Sequence, residues 1–315
     1  GRNPGSRGYR TFPREKISAM RMKSFYPHYA LMLLPGLIWI FVFKIIPMFG
    51  LVMAFQQFNP GKGILGSPFV GFENFAYMFQ LNDSWTIFFN TVNIAVWKIL
   101  FNLIVPIVAA LMLNELRLAT LKRGVQTIVY LPHFMSWVIL AGIMLDIFAY
   151  RGPVNSLLAT FGVEPIIFFA RADLFVPLVV GSDVWKEFGF TAVIYLAALT
   201  GISPQLYEAA AIDGASRLQR IRYITVPGIQ TTIILMTALS LGNVLNANFD
   251  QIFNLYNPLV YSTGDIIDTW VYRMGLLQMQ YSLATAVGLL KSVIGFAMIA
   301  LSYVLARKFA NYNIF

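Results

Sequence analysis

Six long apolar segments dominate this sequence and restrict what it can fold into. They cover residues 30–55, 86–113, 125–148, 174–200, 226–249 and 283–306. A helix needs about 20 mostly apolar residues to cross the hydrocarbon core of a bilayer, and each segment is long enough. Only 12% of the residues are charged and 58% are hydrophobic, whereas soluble domains carry roughly 25% charged residues. We therefore predict an all-α membrane protein with six transmembrane helices.

The basic residues are unevenly divided between the two sides of these segments. With the N-terminus placed in the cytoplasm, fifteen Lys and Arg face the cytoplasm, four lie in outer loops and four lie within the segments. Because positive residues collect on the cytoplasmic side of membrane helices, we expect both termini to be cytoplasmic. Orientation and contact with anionic lipid then account for the net charge of +9, and a nucleic-acid partner is not needed.

The chain before the first apolar segment is basic, with interleaved apolar and aromatic residues. Residues 13–29 are typical of a helix that lies in the inner membrane interface, and the residues before them have the composition of a flexible tail. No small-residue cleavage site follows the first apolar segment, so we expect it to stay in the membrane. We divide the chain into a cytoplasmic part, 1–29, and one transmembrane domain, 30–315.

Polar side chains inside the apolar segments are the first candidates for a functional site. Such groups are costly in hydrocarbon and usually face protein or water. On a helix with 3.6 residues per turn, polar residues share one face of the fourth segment and another of the fifth. In the second segment, two neighbouring faces are polar. The predicted substrate pathway comprises Asn93, Lys98, Asp183, Lys186, Glu187, Asn243, Asn246 and Asp250.

Two other interpretations of these residues stay open. The amides and the acidic and basic cluster of the fourth segment could simply hold helices together by hydrogen bonds. Asp183 and Glu187 could also be the acid and base of a membrane enzyme that acts on glycans. Their position on one helical face, beside Lys186, suits a structural or pathway cluster better.

Motifs for catalysis or metal binding are absent from the sequence. There is no cysteine, and His28 and His133 are too far apart for a zinc motif. The sequence also lacks a phosphate-binding loop, a nucleophile elbow and a dinucleotide fingerprint. We expect no cofactor, no metal and no enzymatic activity in this chain.

A polar, basic loop at residues 201–227 separates the fourth and fifth segments. Ser203 and Pro204 suit the start of a helix, and Gly214 suits the left-handed residue that ends one. Ala209 and its two successors leave one side nearly bare, so that another protein can approach closely. The alternative is an amphipathic helix on the membrane surface.

This loop resembles the coupling loop of ABC importer permeases. In that family a Glu-Ala-Ala triplet is followed by Gly after four residues, by Ile after ten more and by Pro after another three. The matching positions here are Glu208, Ala209, Ala210, Gly214, Ile224 and Pro227. Val226 stands where the family usually has Leu. The resemblance implies that five residues contact an ATPase subunit, namely Glu208, Ala209, Ala210, Asp213 and Gly214.

The C-terminal third is similar to the complex-carbohydrate branch of maltose-type permeases. The similarity is carried by NPLVY at 257–261, GDIIDTWVYR at 264–273 and YSLATAVGLLKS at 281–292. It implies an importer of oligosaccharides or polysaccharide fragments in a bacterial plasma membrane. It also implies a second, related permease subunit, two ATPase subunits that bind ATP and Mg, and an extracytoplasmic solute-binding protein.

The charge of the cargo is a separate question. Lys98, Lys186 and Lys291 lie within apolar segments and suggest an acidic cargo, such as an alginate- or pectin-type uronate oligomer. Neighbouring carboxylates could neutralise these lysines, which leaves a neutral oligosaccharide as the alternative. A secondary transporter of a polar solute is the other class to consider; it would usually show inverted repeats and broken helices, and the coupling loop argues against it.

Overall fold

The computed structural model describes residues 29–116 and 118–310. The predicted interfacial helix, apart from Tyr29, and the tail before it lie outside the described residues, as does Arg117. The chain divides after Val52 into two compact units.

Most of the described residues are helical, and we number the main helices in chain order. They are α1 (Tyr29–Phe55), α2 (Gly63–Gly66), α3 (Glu73–Gln80), α4 (Asn82–Glu115), α5 (Ala119–Tyr130), α6 (Trp137–Ile147), α7 (Pro153–Thr160), α8 (Ala172–Thr200), α9 (Pro204–Ile212), α10 (Arg217–Gly228), α11 (Gln230–Leu241), α12 (Phe249–Leu255), α13 (Tyr261–Gly264), α14 (Ile267–Tyr272) and α15 (Tyr281–Ala310). Within the described residues the only β pairing is an isolated bridge between Gln56 and Phe69. The predicted all-α fold class is therefore confirmed.

Among the described residues, three helices are long and apolar enough to cross a membrane by themselves, namely α1, α4 and α15. Three further candidates are bent pairs: α5 with α6, α8 with α9, and α10 with α11. Counting each pair as one span allows up to six spans in the described part of the chain. The number six itself stays a prediction.

The third apolar segment is broken in its middle, which corrects the expectation of one helix over 125–148. The chain bends by 105° between the helical stretch that ends at Phe134 and the helix that begins at Trp137. Pro132 lies in the short 3₁₀ turn at the break, and Ser136 caps α6 by accepting a hydrogen bond from Ile139 N at 3.4 Å. Proline cannot donate the helical hydrogen bond, and serine at an N-cap starts a new helix.

The fifth apolar segment also differs from the expected single helix over 226–249. α11 ends at Leu241, and residues 242–248 form turns before α12 begins. Asn248 has a φ of 71° and accepts a hydrogen bond from Gln251 N at 3.4 Å. Asparagine tolerates this left-handed backbone and satisfies nearby backbone groups with its side chain. Asparagine-rich sequence therefore ends α11 early and starts α12.

The packing of the core brings the second, third and fourth predicted spans together. α4 lies along α8, and α5 crosses α8 at Gly189. A Cβ atom at Gly189 would lie 2.1 Å from the carbonyl oxygen of Val129, so a larger residue cannot occupy that position without moving a helix. Near the N-terminal half of α8, Phe175 and Val179 pack with Ile252 and Leu255 of α12.

Candidate substrate cavity and coupling loop

A polar cavity of about 820 Å³ lies between α4, α8 and the region 240–250. Its volume falls within the range of about 300–1,000 Å³ that is typical of small-molecule sites. Polar side chains supply most of its lining, and the residues are Ala95, Lys98, Ile99, Asn102, Asp183, Glu187, Thr191, Ser240, Asn243, Asn246, Asn248, Phe249 and Asp250. Six of the eight predicted pathway residues are therefore brought together by the fold.

Lys98 and Asp183 form the central polar contact of the cavity wall. Lys98 Nζ lies 3.1 Å from Asp183 Oδ1, and both side chains are largely buried. The other carboxylate oxygen, Oδ2, accepts a hydrogen bond of 2.8 Å from Asn102 Nδ2. Breaking such a buried pair leaves an uncompensated charge, so this contact joins α4 firmly to α8.

Lys98 also connects α4 to the fifth span. Its Nζ donates to the carbonyl oxygen of Ala247 at 2.9 Å and to Gln251 Oε1. Gln251 is completely buried, and its Nε2 donates to Val179 O at 2.7 Å and to Ser182 Oγ at 2.8 Å. One lysine and one glutamine therefore hold three helices in register.

A second cluster lies behind the cavity wall at the break in the third span. Lys186 Nζ donates to His133 O at 2.7 Å and lies 3.1 Å from Glu187 Oε1. The other carboxylate oxygen of Glu187 lies 2.7 Å from His133 Nδ1. The imidazole stacks on Phe190 with ring centroids 4.0 Å apart. A carbonyl freed by the helix break is thus satisfied by a lysine side chain, as buried polar groups require.

Each of the three lysines singled out for an acidic cargo is paired with a carboxylate. Besides the two pairs above, Lys291 Nζ lies 2.5 Å from Asp268 Oδ1. The cavity lining carries one lysine, Lys98, and three carboxylates. This chain therefore gives its cavity a net negative lining, and the span lysines do not form a free cationic site.

Two predicted pathway residues do not border the cavity. Lys186 is turned into the cluster with His133. Asn93 is exposed on another face of α4, because five residues of helix rotate it by about 140° from Lys98. Its neighbour Asn90 donates to carbonyl oxygens of Ser262 and Asp265 at 3.1 and 3.2 Å, so for Asn90 the structural interpretation holds.

Asn243, Asn246 and Asp250 all reach the cavity, but not from one helical face as predicted. The first two lie in the turns after α11, and Asp250 lies in the first turn of α12. Asn102 and Gln251 were missing from the predicted set. Asn102 follows Lys98 by four residues, a helical neighbour spacing, and lies on the second of the two polar faces that the sequence indicates for the second segment. No pattern in the sequence indicates Gln251, because the orientation of α12 depends on the turn before it.

The coupling loop forms a short exposed helix with a defined end. α9 covers Pro204–Ile212, and Gly214 has the predicted left-handed conformation with a φ of 74°. Ala215 N donates to Ala210 O at 2.9 Å, which closes the helix end. Ser203 precedes α9 as expected, but its hydroxyl makes no capping hydrogen bond.

The five residues assigned to ATPase contact lie together on α9 and its C-terminal end. Glu208, Ala209, Asp213 and Gly214 are exposed, and Ala210 is partly exposed. The apolar side chains of Leu206 and Ile212 project beside them. The surface is thus accessible to another protein; the contact itself stays a prediction.

One hydrogen bond fixes α9 to the following helix. The hydroxyl oxygens of Tyr207 and Thr225 lie 3.0 Å apart, and Thr225 is buried in α10. Ile202 packs against Gly228, where a Cβ atom would lie 2.6 Å from Ile202 Cδ1. These two contacts connect α9 and the chain just before it to the start of the fifth span. The sequence offered no signal for Tyr207.

Comparison with known proteins identifies close relatives over nearly the whole chain. The sequence matches no protein-family model. It is 39% identical over 306 residues to the polygalacturonan/rhamnogalacturonan transport system permease protein YteP of Bacillus subtilis strain 168, covering 96% of this chain and 95% of that protein. It is 41% identical to the protein LplB of the same organism, with 90% of each chain covered.

A solved structure has the same fold. It is the crystal structure of a bacterial ABC transporter involved in the import of the acidic polysaccharide alginate, and it matches with a TM-score of 0.84 and 38% identity. The match covers 92% of this chain and 98% of that one. Fold, coupling loop and relatives agree, and the alternatives of a secondary transporter or a glycan-handling enzyme are set aside. The chain belongs to the membrane-embedded permease subunits of sugar ABC transporters.

Proposed function

We propose that this chain imports oligosaccharide fragments of an acidic polysaccharide. The relatives named for polygalacturonan and rhamnogalacturonan and for alginate support this cargo. The observation in this chain that carries the proposal is the polar cavity between α4, α8 and residues 240–250, in which amide and hydroxyl groups predominate. Such groups exchange hydrogen bonds with sugar hydroxyls.

The proposed complex contains several other subunits. This chain pairs with a second, homologous permease, and two ATPase subunits bind ATP and Mg below the membrane. An extracytoplasmic solute-binding protein delivers the sugar; a related transporter crystallised with an alginate pentasaccharide-bound periplasmic protein supports this partner. The chain spans the bacterial plasma membrane with both termini in the cytoplasm, in accordance with the distribution of its basic residues.

In the proposed mechanism, closure of the ATPase dimer moves α9, and the cavity alternates between the two sides of the membrane. The surface around Glu208 sits in a cleft of the ATPase. Tyr207 passes the displacement to Thr225 and hence to the fifth span. The fifth span contributes Asn243 and Asn246 to the cavity, so motion of α9 changes access to the sugar.

The positive charge that an acidic sugar requires comes from elsewhere in this complex. Lys98 in the cavity wall is already paired with Asp183. A carboxylate of the cavity that has no cationic partner would repel the carboxylate of a uronate. Within the proposal, the second permease supplies the cations, whereas this chain supplies hydrogen bonds to the sugar hydroxyls. We therefore expect the complex to lose its preference for acidic sugars when the cations of the second permease are removed.

The test is ATP hydrolysis by the complete complex in lipid vesicles. Solute-binding protein loaded with galacturonate oligomers should stimulate hydrolysis more than the same protein offered neutral galactan or arabinan oligomers of equal length. Equal stimulation by neutral oligomers would refute the acidic cargo. Absence of stimulation by every oligosaccharide would refute carbohydrate import.

A further inference from the structure

Three arginines lie on α10, the helix that connects the coupling loop to the fifth span. They are Arg217, Arg220 and Arg222. Within the described residues, none of their guanidinium groups forms an ion pair with a carboxylate. Arg217 and Arg222 are exposed, and the Nε atom of the partly buried Arg220 has no hydrogen-bond partner. The described part of the chain therefore leaves the positive charge of α10 uncompensated.

The exposed side of α10 is apolar as well as basic. Leu218 is 75% exposed and Tyr223 is 68% exposed, and Val226 is also exposed. Arg222 is four residues from both Leu218 and Val226, so these side chains lie close together on one side of the helix. The guanidinium of Arg222 lies over the ring of Tyr223, 5.7 Å from its centroid. Such a mixture is typical of a helix at a membrane interface, where apolar groups reach the acyl chains and guanidinium groups reach the headgroups.

The bend in the fifth span places α10 at the end of that span. α10 is bent by 61° from α11. A helix inclined by this angle to a spanning helix runs obliquely at the membrane surface and does not continue the span in a straight line. Basic side chains at such a position meet the phospholipid headgroups on that side of the membrane.

The opposite side of α10 is connected to the coupling helix. Thr225 is buried, and its hydroxyl oxygen lies 3.0 Å from that of Tyr207 on α9. The same hydroxyl donates to Arg220 O at 3.3 Å. The stretch Ile221–Thr225 is π-helical, and turns of this kind are frequent at functional sites. A ligand that binds the arginines from the membrane side would therefore act on the helix that holds α9.

We propose that Arg217, Arg220 and Arg222 bind the headgroups of anionic phospholipids, and that this contact seats α10 against the membrane. The inference rests on the proposed coupling function of α9 and adds a lipid site to it. Charge complementarity selects the ligand, because guanidinium groups form paired hydrogen bonds to phosphate oxygens. An anionic headgroup also keeps a net negative charge that a zwitterionic headgroup lacks. The site makes coupling depend on the lipid composition.

The test compares the complete complex in nanodiscs of phosphatidylcholine with and without phosphatidylglycerol. The wild-type complex should show higher cargo-stimulated ATP hydrolysis when phosphatidylglycerol is present. The Arg217→Gln/Arg222→Gln double variant changes two exposed positions. It should bind phosphatidylglycerol roughly tenfold more weakly, as measured by native mass spectrometry, and its stimulated hydrolysis should no longer depend on that lipid.

Two further variants separate charge from position. Arg217→Lys/Arg222→Lys keeps the positive charge and should retain most of the lipid dependence. Lys122→Gln/Arg123→Gln removes the same charge from α5 and is the matched control. We expect this control to respond to phosphatidylglycerol as the wild type does.

Several results would each overturn the lipid site. One is equal stimulated hydrolysis by the wild type in both lipids, and another is an unchanged lipid dependence in Arg217→Gln/Arg222→Gln. An equal loss in the α5 control would indicate a general effect of surface charge. Loss of the ATPase subunits from Arg217→Gln/Arg222→Gln on co-purification would indicate that the arginines contact the ATPase. If the wild-type complex responds to no oligosaccharide in either lipid, the proposed function fails instead, and the affinity for phosphatidylglycerol still tests the site.

Discussion

Lys98 Nζ lies 3.1 Å from Asp183 Oδ1, so a buried ion pair joins the second predicted span to the fourth beside the polar cavity. The same ammonium group bonds to Ala247 O and Gln251. The lysine is thus fully engaged with its own chain. Its position beside a cavity that is proposed to carry acidic sugar makes its role testable.

We predict that Lys98→Gln destabilises the fold instead of selecting against acidic cargo. Removing one partner of a buried pair typically costs about 3–5 kcal/mol. The double variant Lys98→Gln/Asp183→Asn removes both charges and should be more stable than either single variant. Thermal unfolding in detergent measures this, with Lys62→Gln in an exposed loop as control. A stable Lys98→Gln that loses only acidic-oligomer uptake would contradict the prediction.

Gly214 is expected to be essential for coupling because of its φ of 74°. A left-handed conformation costs roughly 1–2 kcal/mol for residues with a side chain, and β-branched residues tolerate it least. Gly214→Val should therefore lower cargo-stimulated ATP hydrolysis, whereas Gly214→Asn should largely retain it. If Gly214→Val leaves both assembly and stimulated hydrolysis intact, α9 is not the coupling element.

The hydrogen bond between Tyr207 and Thr225 should matter for transmission more than for assembly. Tyr207→Phe removes a bond worth about 1 kcal/mol and keeps the ring. We expect cargo-stimulated hydrolysis to fall while the ATPase still co-purifies. Tyr223→Phe, at an exposed tyrosine of the same region, is the control. If Tyr207→Phe and Tyr223→Phe show the same cargo-stimulated hydrolysis, this hydrogen bond has no part in coupling.

Single cysteines can establish which residues face water in the cavity. The chain has no native cysteine. Cysteine at Asn243, Asn246 or Asp250 should react with a small polar thiol reagent at a rate that changes with ATP and cargo. Cysteine at Ile252, which is fully buried, should not react. If the cysteines at all three positions do not react, these residues do not face water and serve helix packing instead.

The close crossing of α5 and α8 predicts a strong effect at Gly189. Because a Cβ atom there would lie 2.1 Å from Val129 O, Gly189→Ala must push the helices apart. We expect a clear loss of thermal stability. Gly181→Ala, on the same helix with no heavy atom within 4 Å of the new Cβ, should be neutral or slightly stabilising. Equal stability of the two variants would refute the tight crossing.

The sequence by itself determined that the chain is a membrane protein, that its fold is all-α and that residues 201–227 form the loop that resembles a coupling loop. Long apolar segments have few stable solutions in a bilayer other than helices, since every backbone polar group must be satisfied internally. The left-handed Gly214 was also predictable, because a glycine after a short alanine-rich helix matches a local backbone requirement. These features depend on neighbours in sequence.

The sequence also predicted that polar groups of the fourth and fifth spans would approach one another, and six of eight pathway residues border one cavity. Asn93 and Lys186 do not border the cavity. Helical periodicity gives the angles between residues of one helix, but it does not show on which side of that helix the next helix packs. It also missed both broken spans. Pro132 and Asn248 mark these breaks only in hindsight, since apolar flanks favour a continuous helix.

Only the tertiary structure decided the electrostatics of the cavity. Lysines separated from their carboxylates by 85 positions, as Lys98 is from Asp183, cannot be matched from the sequence alone. Packing of α4 against α8 places the two charges in contact and turns a candidate cargo ligand into a buried pair. The physical reason is that charge pairing depends on distances of a few ångströms, and tertiary packing alone sets such distances between remote segments.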